Sequence, residues 1–259
     1  AVAFLLPIFL VLMNSFKNKL YISDAPFALP NSDTFSGMYN YVNGIQKTGL
    51  LVAAGRSAFI TICSVIVIVL LTSMAAWWIT RVTCKLSTVL YYLFVFAMIV
   101  PFQMVMFTLS KVTDFLHLGN MFGIIPVYLG FGAGLSLFMF CGFIKAIPIS
   151  LEEAAMIDGC TPVQTYFKVI VPMLRPTIIT VAILNAMWIW NDYLLPTLVL
   201  DSEKPTIPMA VQYLRGGYGS IDMGAMMAML VLAILPIIVF YLTCQKYIIK
   251  GVAAGAVKG

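Results

Sequence analysis

Six apolar runs dominate the chain: about residues 1–16, 57–79, 87–110, 123–144, 176–200 and 223–248. Each of the last five is long enough to cross the ~30 Å hydrocarbon core of a bilayer as a helix. Backbone groups in lipid must be satisfied within their own segment, so helices are the expected structure. Composition points the same way. The chain is 62% hydrophobic and 10% charged, against about 25% charged residues in ordinary soluble domains. The expected fold class is all-α integral membrane, with six transmembrane helices in one domain over residues 1–259.

The first run has 16 residues and reaches only ~24 Å as a helix. It lacks the charged leader and cleavage site of a signal peptide, so it is expected to be a transmembrane helix whose first turn, with any cytoplasmic leader, precedes Ala1. Pro101, Pro196 and Pro236 fall inside runs, where packed neighbours tolerate kinks. Gly130 and Gly134 sit one helical turn apart and predict a close helix–helix contact. The glycines from Gly130 to Gly134 lack a following Lys-Ser/Thr, which argues against a phosphate loop.

The net charge of +5 is scattered, and nucleic acid is not an expected partner. The five cysteines form no CxxC pair and suit the role of small buried hydrophobes. His117 has no ligand-spaced neighbours, and no metal site or catalytic constellation is expected. Six spans place residues 80–86, 145–175 and 249–259 on the side of the termini. Lys and Arg number 8 on that side, counting the tail from Gln245-Lys246, and 7 on the other. The short connection carrying Arg81 and Lys85 weighs most, because long loops cross largely regardless of charge. It predicts cytoplasmic termini, with loops 17–56 and 201–222 outside.

Residues 151–172 contrast with everything around them. Glu152, Glu153 and Asp158 lie together here, three of the ten carboxylates in the chain. Such a segment belongs in water. Ser150-x-x-Glu153 has the form of a capping box, and Gly159 suits a left-handed helix end. Thr161-Pro162-x-Gln164 starts a second helix. Two short helices around a sharp turn are therefore expected. Glu153 and Gly159 either serve only as cap and turn, or form part of a docking surface with Ala154, Ala155, Met156 and Ile157.

Glu153-Ala154-Ala155, three residues, Gly159, nine residues and Val169-Ile-Val-Pro172 resemble the loop of that E-A-A pattern in permeases of ABC importers. Val169 and Val171 depart mildly from its I-x-L-P ending. Glu152, Ile157 and Asp158 match the fuller carbohydrate form, E-E-A-A-x-I-D-G. Trp190-Asn191-Asp192-Tyr193-Leu194-Leu195-Pro196 resembles the fifth-span motif of the same group, and Gln245-Lys246 with Gly251 to Gly259 resembles its terminus.

The resemblance spans essentially the whole chain and is nearest the smaller permease type of maltose and oligosaccharide importers. It implies the type I ABC importer permease fold. It further implies a cytoplasmic coupling helix made by Glu152, Glu153, Ala154, Ala155, Ile157, Asp158 and Gly159, within a coupling loop 145–175. A tail reaching the ATPase would include Gln245, Lys246, Gly251, Gly255, Lys258 and Gly259. The implied partners are a second, unlike permease, two ATPase subunits holding ATP and Mg, an external solute-binding protein, a sugar and membrane lipid. The location implied is the bacterial cytoplasmic membrane. No cofactor is expected on this chain, which lacks G-x-x-x-x-G-K-[ST], and it is not expected to be an enzyme.

Asp192 is the one carboxylate expected deep in a span, beside Trp188, Trp190 and Asn191. A mid-bilayer carboxylate costs ~2.5–3.5 kcal/mol on insertion scales. Its two readings are a sugar path lined by rings and hydrogen-bonding groups, and a helix–helix contact near the outer interface with the tryptophans as anchors. Gln103, after Pro101, is a further path candidate. The expected activity is alternating-access import of a carbohydrate. Alternatives are an importer of another solute and an ion-coupled carrier, the latter calling for an inverted repeat.

Overall fold

The computed structural model describes residues 2–214 and 221–256, with side chains described for residues 3–214 and 221–246. Among these residues the secondary structure is helical, apart from one isolated antiparallel bridge between Lys17 and Phe35. Among the described residues four helices are long and apolar enough to cross a membrane, or five if one bent pair is a single span. The shorter apolar helix α1 (Val2–Asn14) precedes them. By internal contacts the chain divides into two units, residues 1–59 with 191–242 and residues 60–190 with 243–259.

In the first unit the 17–56 connection, expected as a loop, is largely helical. It contains α2 (Lys19–Asp24), α3 (Tyr39–Thr48) and the first turns of α4 (Leu50–Arg81). Gly49 ends α3 at φ +57°, a left-handed position that suits glycine and turns the chain directly into α4. Buried polar groups organise this region. The Asn40 amide nitrogen lies 2.7–2.9 Å from the carbonyls of Ser15 and Lys17 and the Ser36 hydroxyl, and Ser15 Oγ meets Tyr41 Oη at 2.7 Å. Lys47 and Asn43 on α3 both donate to Asp222, at 2.7 and 3.0 Å.

In the second unit α4 continues to Arg81 and is followed by α5 (Lys85–Ile99), α6 (Phe102–Phe115) and α7 (Ile124–Ile144). The run expected as one span at 87–110 is broken. The axes of α5 and α6 differ by 106°, with Val100 and Pro101 in extended conformation between them. Proline removes an N–H and pushes its predecessor out of the helical region, so two residues are lost from the ladder rather than one. Pro236 behaves otherwise and stays inside α13 (Met223–Ala256).

Glycines bring α7 close to its neighbours, though not the pair expected. A Cβ at Gly134 would lie 2.8 Å from the Phe94 carbonyl of α5, and one at Gly132 would lie 2.7 Å from Asn185 Oδ1. A Cβ at Gly130 would meet nothing within 4 Å. Around them Leu137, Phe140, Cys141 and Ile144 of α7 form a buried cluster with Ala76, Tyr166, Ile170 and Leu174.

The remaining helices are α8 (Ser150–Ile157), α9 (Pro162–Thr165), a π-helical turn at Tyr166–Ile170, α10 (Val171–Asn191), α11 (Leu194–Val199) and α12 (Ile207–Tyr213). Helical structure runs from Pro162 to Asn191 and is apolar enough to span. The fifth span therefore starts earlier and stops sooner than the expected 176–200. Pro196 belongs to the separate α11. Helix α13 likewise continues past residue 248, so Gly251 and Gly255 lie in helix where a tail was expected. Lys258 and Gly259 lie outside the described residues.

Burial works against the ionised form of Asp222, but the Lys47 hydrogen bond and charge, the Ala225 N–H and Asn43 outweigh it and lower its pKa. A depressed carboxyl pKa stabilises the fold above the unfolded value of about 3.9 and stops doing so as pH falls through the folded value. Lys47 is half exposed, so the contribution is at most about 1 kcal/mol. Asp222→Asn should lower the midpoint of thermal unfolding in detergent slightly at neutral pH. The difference from wild type should vanish as the pH is lowered through the carboxylate range.

Candidate functional site

Helix α8 is a short surface helix whose two faces have different fates. Glu153, Ala154, Met156, Ile157, Asp158 and Gly159 are exposed, with Ile157 at 86%. Glu152 and Ala155 are turned inward, with relative exposures of 4% and 9%. The adjacent carboxylates therefore divide. Glu153 faces solvent, while Glu152, expected on the docking surface, is used inside this chain. A side chain so enclosed cannot also lie across a partner's surface.

Helix α4 determines where Glu152 goes. Trp77 and Arg81 are one turn apart near its end and so project on one side. Trp77 Nε1 donates to Glu152 Oε2 at 2.9 Å, and Arg81 Nε donates to Oε1 at 2.7 Å. An Arg81 terminal nitrogen is 2.7 Å from the same Oε1 and donates to the Ile147 carbonyl at 2.9 Å. One guanidinium thus holds both the side chain of α8 and the backbone leading into it. Above this pair, Tyr166 Oη meets Ser73 Oγ of α4 at 2.6 Å, and its ring is 5.6 Å from that of Trp77. Tyr166 opens the π-helical turn. Both ends of the α8 segment are tied to α4.

The entry to α8 differs from a capping box. Ile149 is already helical at φ −63°, ψ −27°, and caps nothing with its side chain. Turn hydrogen bonds from Leu151 N to Pro148 O and Glu152 N to Ile149 O carry the chain straight into the helix. Ser150 is consequently a helical residue, whereas a capping serine needs an extended backbone. Glu153 has no capping duty to perform, so the competition between its two expected roles disappears.

The exit follows expectation. Gly159 has φ +84°, with Gly159 N donating to Met156 O at 3.0 Å and Cys160 N to Ala155 O at 2.9 Å. These two bonds make a Schellman motif, which closes the helix and reverses the chain. Thr161 then caps α9, its hydroxyl accepting from Gln164 N while Gln164 Oε1 accepts from Thr161 N. The second helix is not short, because it continues through the π-helical turn into α10.

The candidate path residues fall on several elements. Trp188 is on α10, its ring edge-on to Tyr128 of α7 at 5.5 Å. Trp190 is half-buried near the end of α10 and Asn191 closes it. Asp192 lies beyond the helix, not deep inside one. Its Oδ1 accepts from the backbone N–H of Leu194 at 3.0 Å and of Leu195 at 3.4 Å, so it caps the start of α11. Gln103 is exposed in the first turn of α6. Gln245 and Lys246 are exposed on α13.

A residue not picked out from sequence is Asn185, 5% exposed on α10. Its amide donates to Ser136 Oγ of α7 at 3.1 Å and to the Val181 carbonyl at 2.9 Å. An asparagine amid an apolar run was the available signal, since such a group needs an internal partner.

Residues 68–254 match the family of binding-protein-dependent transport system inner membrane components. The chain is 39% identical over 253 residues to a probable starch degradation products transport system permease protein of Thermoanaerobacterium thermosulfurigenes, covering 97% of this chain and 91% of the relative. It is 38% identical over 259 residues to the multiple sugar-binding transport system permease protein of Streptococcus mutans, covering 98% and 92%. A melibiose/raffinose/stachyose import permease protein of Bacillus subtilis is 29% identical over 265 residues, covering 100% and 93%. In fold, the chain resembles one in the crystal structure of a bacterial ABC transporter involved in the import of the acidic polysaccharide alginate. The TM-score is 0.78 at 22% identity, over 95% of this chain and 91% of that one.

Removing Glu152 leaves Arg81 with no carboxylate in a site where it is only 17% exposed. Glu152→Ala should therefore destabilise the protein by about 3 kcal/mol, the low end for breaking a buried pair. In a double-mutant cycle with Arg81→Ala, read by thermal unfolding in detergent, the combined loss should be clearly smaller than the two single losses added together.

Proposed function

We infer that this chain, which belongs to the family of binding-protein-dependent transport system inner membrane components, is the smaller-type permease subunit of an ABC importer that moves an oligosaccharide across the bacterial cytoplasmic membrane. It acts with a second, unlike permease, two ATPase subunits and an external solute-binding protein. ATP and Mg reside on the ATPases. Sugar as cargo is supported by the starch-product, multiple-sugar and melibiose/raffinose/stachyose permeases that the chain resembles along nearly its full length. The termini and the α8 loop lie in the cytoplasm, as the basic connection at Arg81 and Lys85 favours.

The observation that carries the mechanism is the division of α8 into an inner and an outer face. The outer face presents Glu153, Ala154, Ile157 and Asp158 to the ATPase. Ile157 is an exposed apolar knob, Ala154 leaves room for close approach, and Glu153 offers a charge-assisted hydrogen bond. The inner face fastens α8 to α4 through Glu152, Arg81 and Trp77. Displacement of the docking helix by closing ATPases is thereby imposed on a 32-residue helix. Alternating access follows provided the ATPases bind the two conformations with different free energies. The terminus of α13, including Gln245 and Lys246, is assigned to a second contact with the ATPase pair. Trp188, Trp190, Asn191 and Gln103 are assigned to the cargo path, whereas Asp192 serves it by holding the α10–α11 break.

Gly159 offers the sharpest test. A side chain there meets no neighbour within 4 Å, so only the backbone strain at φ +84° and the docking surface would register it. Aspartate is among the residues that tolerate such a backbone best. Gly159→Asp should leave the subunit in the membrane and the ATPases active while uptake of the oligosaccharide falls at least about tenfold, a loss of ~1.4 kcal/mol in coupling. Normal uptake would overturn the docking assignment. Oligosaccharide binding by the matching solute-binding protein checks the cargo independently, and selective binding of amino acids would replace the sugar reading.

Glu153→Ala should weaken co-purification of the ATPase about tenfold or more, given ~1.5–3 kcal/mol for a hydrogen bond to a charged group. Glu153 caps nothing in this structure, so thermal stability of the isolated subunit should be unchanged.

A further inference from the structure

A cavity opens at the α8 end of the second unit, outside the machinery described above. It lies where α4 ends, α5 begins and α7 ends, and its volume is about 780 Å³. That is within the ~300–1,000 Å³ of small-molecule sites. Two of its lining residues are lysines, Lys85 and Lys145, and none is an aspartate or glutamate. Lys145 Nζ is 5.5 Å from the centre of the Tyr91 ring, a cation–π contact that aims the ammonium from α7 toward α5. The first turns of α5 form another wall, and a helix start carries partial positive charge. Thr83, Tyr91 and Tyr92 add hydroxyl groups to the lining. The charge in the polar part of this cavity is complementary to an anion.

Its other part is apolar and leads in one direction. Ile79 and Val89 line the wall, and Tyr92 carries the lining onto the outer face of α5. Phe96 and Ile99 continue that stripe at helical spacing with exposures of 67% and 69%, and Leu93 is exposed beside them. A free anion would have no use for this stripe. A molecule with a phosphate at one end and hydrocarbon at the other would occupy both parts at once. The position suits it, because basic pockets between spans on the cytoplasmic side receive anionic headgroups.

We propose that the α4–α5–α7 cavity binds an anionic phospholipid, its phosphate between Lys85 and Lys145 and an acyl chain along Tyr92, Phe96 and Ile99. The bound lipid ties the start of α5 to the end of α7 beside the Arg81–Glu152 pair. The proposal rests on the membrane-spanning reading of this chain with its α8 end in the cytoplasm, and lipid retention can be measured whatever the cargo proves to be.

The experiment uses the subunit assembled with its partners. Native mass spectrometry after partial delipidation should find phosphatidylglycerol retained in preference to phosphatidylcholine. Retention should fall about fivefold for Lys85→Gln or Lys145→Gln and about thirtyfold for both, at the usual worth of a lysine near an anionic surface. Lys85→Arg with Lys145→Arg should retain the lipid. Cys84, which also lines the cavity, gives a second readout. A neutral maleimide should label it more slowly in nanodiscs containing phosphatidylglycerol than in phosphatidylcholine alone, and the double glutamine variant should abolish that difference.

Three results would overturn the proposal. One is equal phosphatidylglycerol retention by wild type and the double glutamine variant. Another is displacement of the lipid by inorganic phosphate at matched ionic strength, which would mark a simple anion site. The third is protection of Cys84 irrespective of lipid, with cross-links to a partner subunit, which would mark a protein interface.

Discussion

The buried pair of Arg81 and Glu152 makes the exposed part of this protein mechanically part of its membrane part. A helix of eight residues cannot hold its shape alone, since isolated helices below ~12–15 residues are marginal in water. Propensity therefore does not explain α8. It persists because both ends are anchored: Glu152 and the Ile147 carbonyl on Arg81 at one end, and Tyr166 on Ser73 at the other. All these anchors lie on a single helix. The cost of enclosing a carboxylate is met by two donors with complementary geometry, the Arg81 guanidinium and the Trp77 indole.

This segment is legible in the sequence because its chemistry clashes with its surroundings, and contrast of that sort is visible without knowing any contact. The turn at Gly159 and the cap at Thr161 are legible too, because they depend on residues within five positions of one another. The different fates of Glu152 and Glu153 are not. Adjacent residues on a helix point about 100° apart, so one of the two faces inward, but which one depends on Arg81, 71 positions away. The misread Ser150 has the same origin. Its pattern fits a capping box, yet the conformation of Ile149 comes from the turn below it.

The spans show the same division between local and distant causes. Long apolar runs announced the helices, and the family similarity agrees with the resulting fold. The breaks were less legible, because hydropathy does not register them. Pro101 interrupts its run with a 106° bend, whereas Pro236 is carried within a continuous helix. The apolar neighbours of Asp192 predict a place for it inside a span. It stands instead where α10 has ended, accepting two N–H groups that begin α11. A carboxylate inside an apolar run is as much a sign that the backbone needs an acceptor there as a sign of ligand chemistry.

The end of the second unit that bears α8 brings together Arg81, Lys85 and Lys145. Each is used differently. Arg81 is consumed by Glu152 and Ile147. Lys145 is drawn toward α5 over the Tyr91 ring. Lys85 stands in the first turn of α5 at the cavity. A guanidinium satisfies a carboxylate and a carbonyl simultaneously through its planar fork, which an ammonium does with less geometric definition. The point charges of lysine suit a headgroup that arrives from the bilayer and can exchange. Arginine at the permanent joint and lysines at the cavity thus follow from what each position must hold: one a fixed partner within the chain, the others a partner supplied by the membrane.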